Sequence, residues 1–322
     1  MVHALAPKLI TAPASSRLGH AGTAAARPQT PLRGIALIIA STVFFSGADV
    51  LTKVLSSSLP IVEIAWLRYV MFSLLVIPIM LANGGRDALR SHRTGLQIVR
   101  GLGTVGSALL FMTSLMFLPV ADATAINFVS PILITALSIP LLGEVVGWRR
   151  WTAALVGLLG VLIVIRPGTS AFETAALLPL LAATSWAGAA VVTRMMSGTD
   201  RPVTILSYSA FVGTALLSAV VPFVWVVPSW QETAIAVGLG VLSTAGHWLV
   251  VLAYRNTAAS TLAPFSYVQL LWAGALGYLT FGSLPDFWTV IGAAVIALSG
   301  LYTVHRERVR AIGADRVRSH LS

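Results

Sequence analysis

Asp49 and Lys53 stand four residues apart inside the otherwise apolar stretch Phe45-Ser-Gly-Ala-Asp-Val-Leu-Thr-Lys-Val-Leu55. On a helix that spacing puts both on one face, with the acid N-terminal to the base. In hydrocarbon each charge costs roughly 2.5–3.5 kcal/mol on an insertion scale, so a chain that keeps them there lines a wet path with them or pairs them. Two chemistries follow. The residues can hold a zwitterionic or charged solute, with Asp49 taking a proton, or they can form an intrahelical ion pair with Lys53 snorkelling outward. Arg68 lies further along, about two turns into the next apolar stretch, with Glu63 near that stretch's mouth. The four can form a charge network that rearranges, or Arg68 can simply bridge Asp49.

Neutral polar groups add to the inventory. Asn127, His247, Tyr267 and Gln269 sit toward the middle of apolar stretches, where they can bind a solute or hydrogen-bond a neighbouring helix. His247 brings a ring that titrates near neutral pH. Phe265, Gln269 and Trp272 share a helix face at i, i+4, i+7 spacing, an amide between two aromatics that suits a planar solute. Trp66, Trp186, Tyr208 and Trp248 extend the aromatic set. An interface belt is their ordinary use; a cavity wall that stacks on a ring is the other. Arg100, one turn from the end of its stretch, reads as an interface anchor.

Catalytic patterns are missing. The sequence has no Gly-x-Ser-Gly, no His-Glu-x-x-His and no aspartate-rich pyrophosphate motif, so neither an intramembrane enzyme nor a metal or other cofactor is expected. Gly101-Leu-Gly103 lies inside an apolar span without a preceding strand, which disqualifies it as a nucleotide loop. The absence of cysteine excludes disulfides and thiolate metal sites.

The elements that must position these residues follow from composition. Hydrophobic residues make up 57% of the 322 positions and charged ones only 10%, with a mean hydropathy of +0.86. Soluble domains run near a quarter charged, so this is an integral membrane protein. Apolar runs long enough to cross a bilayer are expected at 34–55, 61–81, 96–118, 121–141 and 151–165, then at 175–196, 203–227, 233–253, 258–281 and 287–304. They are continuous and rich in Leu, Ala and Gly, unlike the alternating strands of an outer-membrane barrel. The fold class is therefore all-α, with ten transmembrane helices.

The net charge of +10 does not point to nucleic acid, because the basic residues fall in short connections and at the two ends. With the N-terminus inside, seventeen of the 21 Lys and Arg lie on the cytoplasmic side, and Arg166 alone lies opposite. That asymmetry predicts a multi-pass plasma (inner) membrane protein with both termini cytoplasmic. Residues 1–33 carry four basic residues and no acid, lack the apolar core of a secretory signal, and read as a disordered cytoplasmic tail. Residues 306–322 read as a basic one.

The chain also repeats itself. Phe45–Leu55 returns, neutralised, as Trp186-Ala-Gly-Ala-Ala-Val-Val-Thr-Arg-Met-Met196, and Pro60–Tyr69 aligns with Pro202–Phe211. Offsets stay between 139 and 142 residues. A repeat of five spans must enter the membrane in opposite directions, so an inverted-topology repeat is expected, covering 34–168 and 169–305.

Several segments resemble the EamA-type carriers of the drug/metabolite transporter superfamily: Leu118-Pro-Val-Ala-Asp-Ala-Thr-Ala-Ile126, Ser130-Pro131, Leu141-Leu-Gly-Glu144, Gly147-Trp-Arg-Arg-Trp151, Ala263-Pro-Phe-Ser-Tyr-Val-Gln-Leu-Leu-Trp272 and Phe281-Gly-Ser-Leu-Pro-Asp286. The resemblance implies two inverted EamA repeats around a central cavity and secondary transport of small organic solutes. Where many relatives have an acid after the glycine of the second repeat, this chain has Ser283, so it does not imply a symmetric pair of acidic gates. Riboflavin, S-adenosylmethionine and amino-acid carriers share the pattern, and the charged and aromatic complement favours a ring-bearing charged solute. Proton coupling, solute exchange and a homodimer stay open, as does a membrane scaffold or assembly role.

Overall fold

The computed structural model describes residues 31–142, 148–166, 174–196, 198–257, 262–299 and 301–302. Both predicted tails beyond these bounds, and the motif residue Glu144, lie outside the described residues. All regular structure among the described residues is helical. The α-helices are α1 (Pro31–Leu55), α2 (Ile61–Ala82), α3 (Thr94–Phe117), α4 (Val120–Asn127), α5 (Ser130–Leu142), α6 (Trp148–Ile165), α7 (Leu177–Met196), α8 (Pro202–Val220), α9 (Trp230–Asn256) and α10 (Val268–Phe281), followed by α11 (Phe287–Ser299).

Among the described residues seven segments are long and apolar enough to cross a membrane, with α4 and α5 together forming one of them. The 18 residues of α6, α10 with the 3-10 turn Ala263–Tyr267 before it, and α11 fit the remaining crossings of a ten-helix bundle. The seventh crossing is shorter than its hydropathy suggests. Its α-helix stops at Val220 and a 3-10 turn Val221–Phe223 closes it, because Pro222 cannot supply a helical N–H.

The fourth crossing is the larger departure. One continuous helix is expected there, yet α4 ends at Asn127 and α5 begins at Ser130. Pro131 explains the interruption: it has no N–H to return to the carbonyl of Asn127, and it disfavours helical geometry at the residue before it. It fits instead in the first turn of the new helix, where an N–H has no helical partner. The ninth crossing is interrupted in a similar way, with Pro264 in the 3-10 turn that precedes α10. The two interruptions face each other, Phe128 meeting Tyr267 edge to face at 5.2 Å.

Helices from the two halves of the chain interleave. α1 packs along α9 and α3 along α7; α2 packs on α8 and α9; α3 also touches α8; α10 meets α1 and α4, while α5 meets α7. Small residues set some of these approaches. A Cβ on Gly246 would come within 2.8 Å of the Phe45 ring, so glycine is what lets α9 lie against α1. Gly160 of α6 faces Gly292 of α11 so closely that a Cβ on Gly160 would sit 2.7 Å from the Gly292 carbonyl oxygen.

Candidate functional site

At the middle of the bundle α1, α2, α3, α7 and α9, with both interrupted crossings, enclose a cavity of about 150 Å³. From α1 it takes residues no later than Asp49, from α9 His247, Val250 and Tyr254, and from the ninth crossing Leu262, Ser266 and Gln269. α1 starts where α9 ends, Gly34 lying against Thr257. The cavity therefore runs from mid-bundle toward the face on which α1 begins.

Two opposite charges line it. Asp49 Oδ2 accepts a hydrogen bond from Gln269 Nε2 at 3.2 Å, and the Gln269 carbonyl accepts one from Ser46 Oγ at 3.2 Å. These bonds tie α1 to the start of α10. Arg68 on α2 lies 3.2 Å from His247 Nε2 and reaches the Met112 thioether at 4.0 Å. A guanidinium only donates, so the contact with His247 requires an imidazole whose Nε2 carries no proton. Among the described residues no ion pair joins Asp49 to Arg68 or to Lys53. Neither the intrahelical pair nor the Asp49–Arg68 bridge forms.

His247 is held by rings on three sides: Phe72 stacks on it at 5.7 Å, Phe45 meets it edge-on at 5.1 Å, and Trp186 lies tilted at 5.9 Å. Trp186 also faces the cavity. On the far wall, at the interruption of the fourth crossing, Asn127 Oδ1 is buried without a hydrogen-bond partner.

Asp49, Arg68, Asn127, Trp186, His247 and Gln269 are thus brought together around one space. Lys53, Trp66, Tyr208, Tyr267 and Trp272 are placed elsewhere. Trp66 donates to Ser218 at 2.8 Å and packs against Trp225. Tyr208 is half-buried on α8 away from the cavity. Tyr267 turns to Phe128 and to an apolar groove between α10 and α11. Trp272, 39% exposed, faces outward.

Lys53 takes a different job. Its Nζ donates to the carbonyls of Leu115 and Leu118 at 2.9 and 2.7 Å, where the end of α3 leaves backbone acceptors unsatisfied and a cation is favoured. It also lies 5.8 Å from the centre of the Phe281 ring. Other polar contacts gather on the same face. Thr289 donates to Asp122 at 2.8 Å, the Val226 amide donates to Glu63 at 2.9 Å, and Arg166 pairs with Asp286 at 2.7 Å. Burial pushes the Asp286 carboxyl up, but the Thr289 amide and the Arg166 guanidinium outweigh it and leave it below the ordinary range. These contacts seal the face opposite the cavity's mouth, and they divide the expected four-member charge network between seal and cavity.

Arg100 is not an interface anchor. It is 4% exposed and clamps three helices by donating to Thr193 at 2.7 Å, to the Ile205 carbonyl at 3.3 Å and to Ser209. Beside it Asp200 accepts from Ser91 at 2.5 Å, Gln97 at 2.7 Å and the His92 amide at 3.1 Å. Burial opposes ionisation of Asp200, yet these donors hold its carboxyl below the usual range.

Sequence reading missed the cavity's hydroxyls and several of its rings, among them Ser41, Thr42, Phe45, Thr104, Ser107 and Tyr254. Ser, Thr and Phe are so common in apolar helices that only helix rotation, which the packing sets, singles them out.

Comparison with known proteins adds to this geometry. The model of the EamA-like transporter family matches twice, at residues 32–166 and 173–304. The S-adenosylmethionine uptake transporter of Rickettsia prowazekii (strain Madrid E) is 29% identical over 281 residues, which is 87% of this chain and 95% of that protein. The riboflavin transporter of Vibrio cholerae serotype O1 is 29% identical, covering 84% and 92%. A pseudopaline exporter of Pseudomonas aeruginosa is 28% identical, covering 83% and 94%. A solved crystal structure shares the fold with a TM-score of 0.65 at 20% identity, covering 84% of this chain and 96% of the other.

Proposed function

This chain belongs to the EamA-like transporter family, and from that premise we propose that it is a secondary carrier moving a small, ring-bearing metabolite across the inner membrane by alternating access. The observation that carries the reading is the mid-bundle cavity, lined by charged, polar and aromatic side chains together and closed toward one face by Lys53 and its neighbours. The transport names of its relatives favour carriage of a solute over intramembrane catalysis.

We read the bundle as two inverted five-helix units. The interleaving supports this. If α7 corresponds to α1, α8 to α2, α9 to α3 and α10 to the fourth crossing, then α1 on α9 answers α3 on α7. In the same way α1 on α10 answers α5 on α7, and α2 on α9 answers α3 on α8. The double family match and the paired interruptions at Phe128 and Tyr267 agree with it. Carriers of this kind place the site where broken helices of the two repeats meet. The basic connections support a reading in which both termini, and so the cavity's mouth, face the cytoplasm.

Purified protein in proteoliposomes should accumulate one member of a panel spanning S-adenosylmethionine, riboflavin and amino acids. Repeating the assay with an imposed pH gradient tests whether Asp49 couples transport to protons. A folded protein that accumulates none of them would overturn the carrier reading for this solute class. Topology is tested with reporters fused to the two termini, which should both report the cytoplasm.

A further inference from the structure

We propose that the cavity recognises a dipolar head group: a cation of the substrate against Asp49 and a carboxylate against Arg68, with the ring carried by the aromatic wall. The proposal rests on the carrier reading and narrows it to zwitterions such as α-amino-acid derivatives, and away from uncharged ring compounds.

Asp49 and Arg68 both keep unused hydrogen-bonding capacity. A carboxylate offers about four lone-pair positions, and Asp49 accepts from one donor, the Gln269 amide. A guanidinium carries about five N–H donors, and Arg68 has one nitrogen on an imidazole and a long contact to a thioether. A buried charge that lacks an opposite charge is costly, and the cheapest remedy within the protein would be an Asp49–Arg68 ion pair. That pair does not form. Gln269 holds the acid on one side and His247 with Met112 holds the guanidinium on the other, and both residues line the same cavity. A ligand with one charge of each sign satisfies both. A neutral ring satisfies neither, and a singly charged one leaves the other residue exposed to its own desolvation. The orphaned Asn127 Oδ1 across the space adds an acceptor for an N–H of the same ligand.

Size supports recognition by the head. Pockets that engulf drug-sized ligands run to about 300–1,000 Å³, whereas this one holds about 150 Å³. One end of the substrate fits at depth and the rest projects past Thr42 and Tyr254 toward the mouth.

The test uses full-length protein with four small probes: L-phenylalanine, phenethylamine without the carboxylate, 3-phenylpropionate without the amine, and riboflavin. Binding is read by ligand-induced thermal shift and by displacement of labelled S-adenosylmethionine; transport is read separately as accumulation in proteoliposomes. Wild-type protein should bind phenylalanine about tenfold or more tightly than either singly charged analogue, since hydrogen bonds to charged groups are the strong ones. Arg68→Gln should erase the advantage over phenethylamine and spare phenethylamine itself. Asp49→Asn should do the same for 3-phenylpropionate. Because each variant has a probe it must leave unchanged, loss of folding cannot imitate the pattern. Riboflavin binding as well as the zwitterions, or both variants weakening every probe by one common factor, would overturn the dipolar site. Accumulation of riboflavin alone keeps the carrier and refutes this proposal. Zwitterion binding without accumulation of any compound supports the dipolar site and refutes the carrier.

Discussion

Replacing Lys53 with methionine should open the bundle on the face where α1 ends. Methionine keeps the apolar stem that packs near Phe281 but removes the two donors to Leu115 and Leu118. A hydrogen bond involving a charged group contributes about 1.5–3 kcal/mol, and a cation at a helix C-terminus about 0.3–1 kcal/mol. The Lys53 side chain is only half-buried and water replaces part of what is lost, so a net shift of about 2 kcal/mol against the sealed state is reasonable. Tenfold per 1.4 kcal/mol makes that about a 30-fold change in the equilibrium between sealed and open. The chain has no cysteine, so a single one placed at Phe111, on the cavity wall, is a unique reporter. An impermeant maleimide added from the face where α1 ends should label Phe111→Cys slowly, and much faster when Lys53→Met is added. Equal rates in the two backgrounds, with both proteins folded, would refute the assignment of Lys53 to the seal. Without the Lys53 substitution, a rate from the face where α1 ends that exceeds the rate from the face where α1 begins would refute the direction of the cavity.

Three further outcomes follow from the packing. Gly160→Ala pushes a methyl against the Gly292 carbonyl at 2.7 Å and the Ile296 amide at 3.1 Å. Backbone cannot yield there, so a loss of about 1–3 kcal/mol is expected as a lower melting temperature in detergent, with Gly188→Ala, which meets nothing within 4 Å, as the neutral control. Asp200→Asn should cost about 1–3 kcal/mol at neutral pH. The native Asp200 carboxyl is depressed, so its contribution is present above the unfolded value near 3.9 and fades as pH falls through the lower folded value; acid unfolding curves should lose that component in the variant. Pro131→Ala restores an N–H that can close α4 onto α5, so the expectation is unchanged or raised thermal stability with slower uptake. Unchanged uptake would show that the interruption is not used in the cycle.

Much of the architecture was legible because the bilayer imposes it one segment at a time. Hydropathy places the crossings, and the offset of 139–142 residues marks two halves that the family model matches one after the other. The breaks at Pro131 and Pro264 were not read from the sequence, because a proline inside an apolar run can also be carried within a helix, as Pro140 is in α5.

What each polar residue does was decided by long-range packing. Asp49 and Lys53 share a helix face, yet one turns to Gln269 in the cavity and the other reaches the carbonyl end of α3. The long lysine stem can choose among partners that only the arrangement of neighbouring helices supplies. Arg100 looked destined for the interface by its position, but Thr193, the Ile205 carbonyl and Ser209 converge on it from two other helices, and a guanidinium with enough acceptors can stay inside. Composition and spacing therefore settle that charges sit in the membrane. Which of them face a substrate depends on which helices touch, and sequence spacing along a single helix carries no information about that.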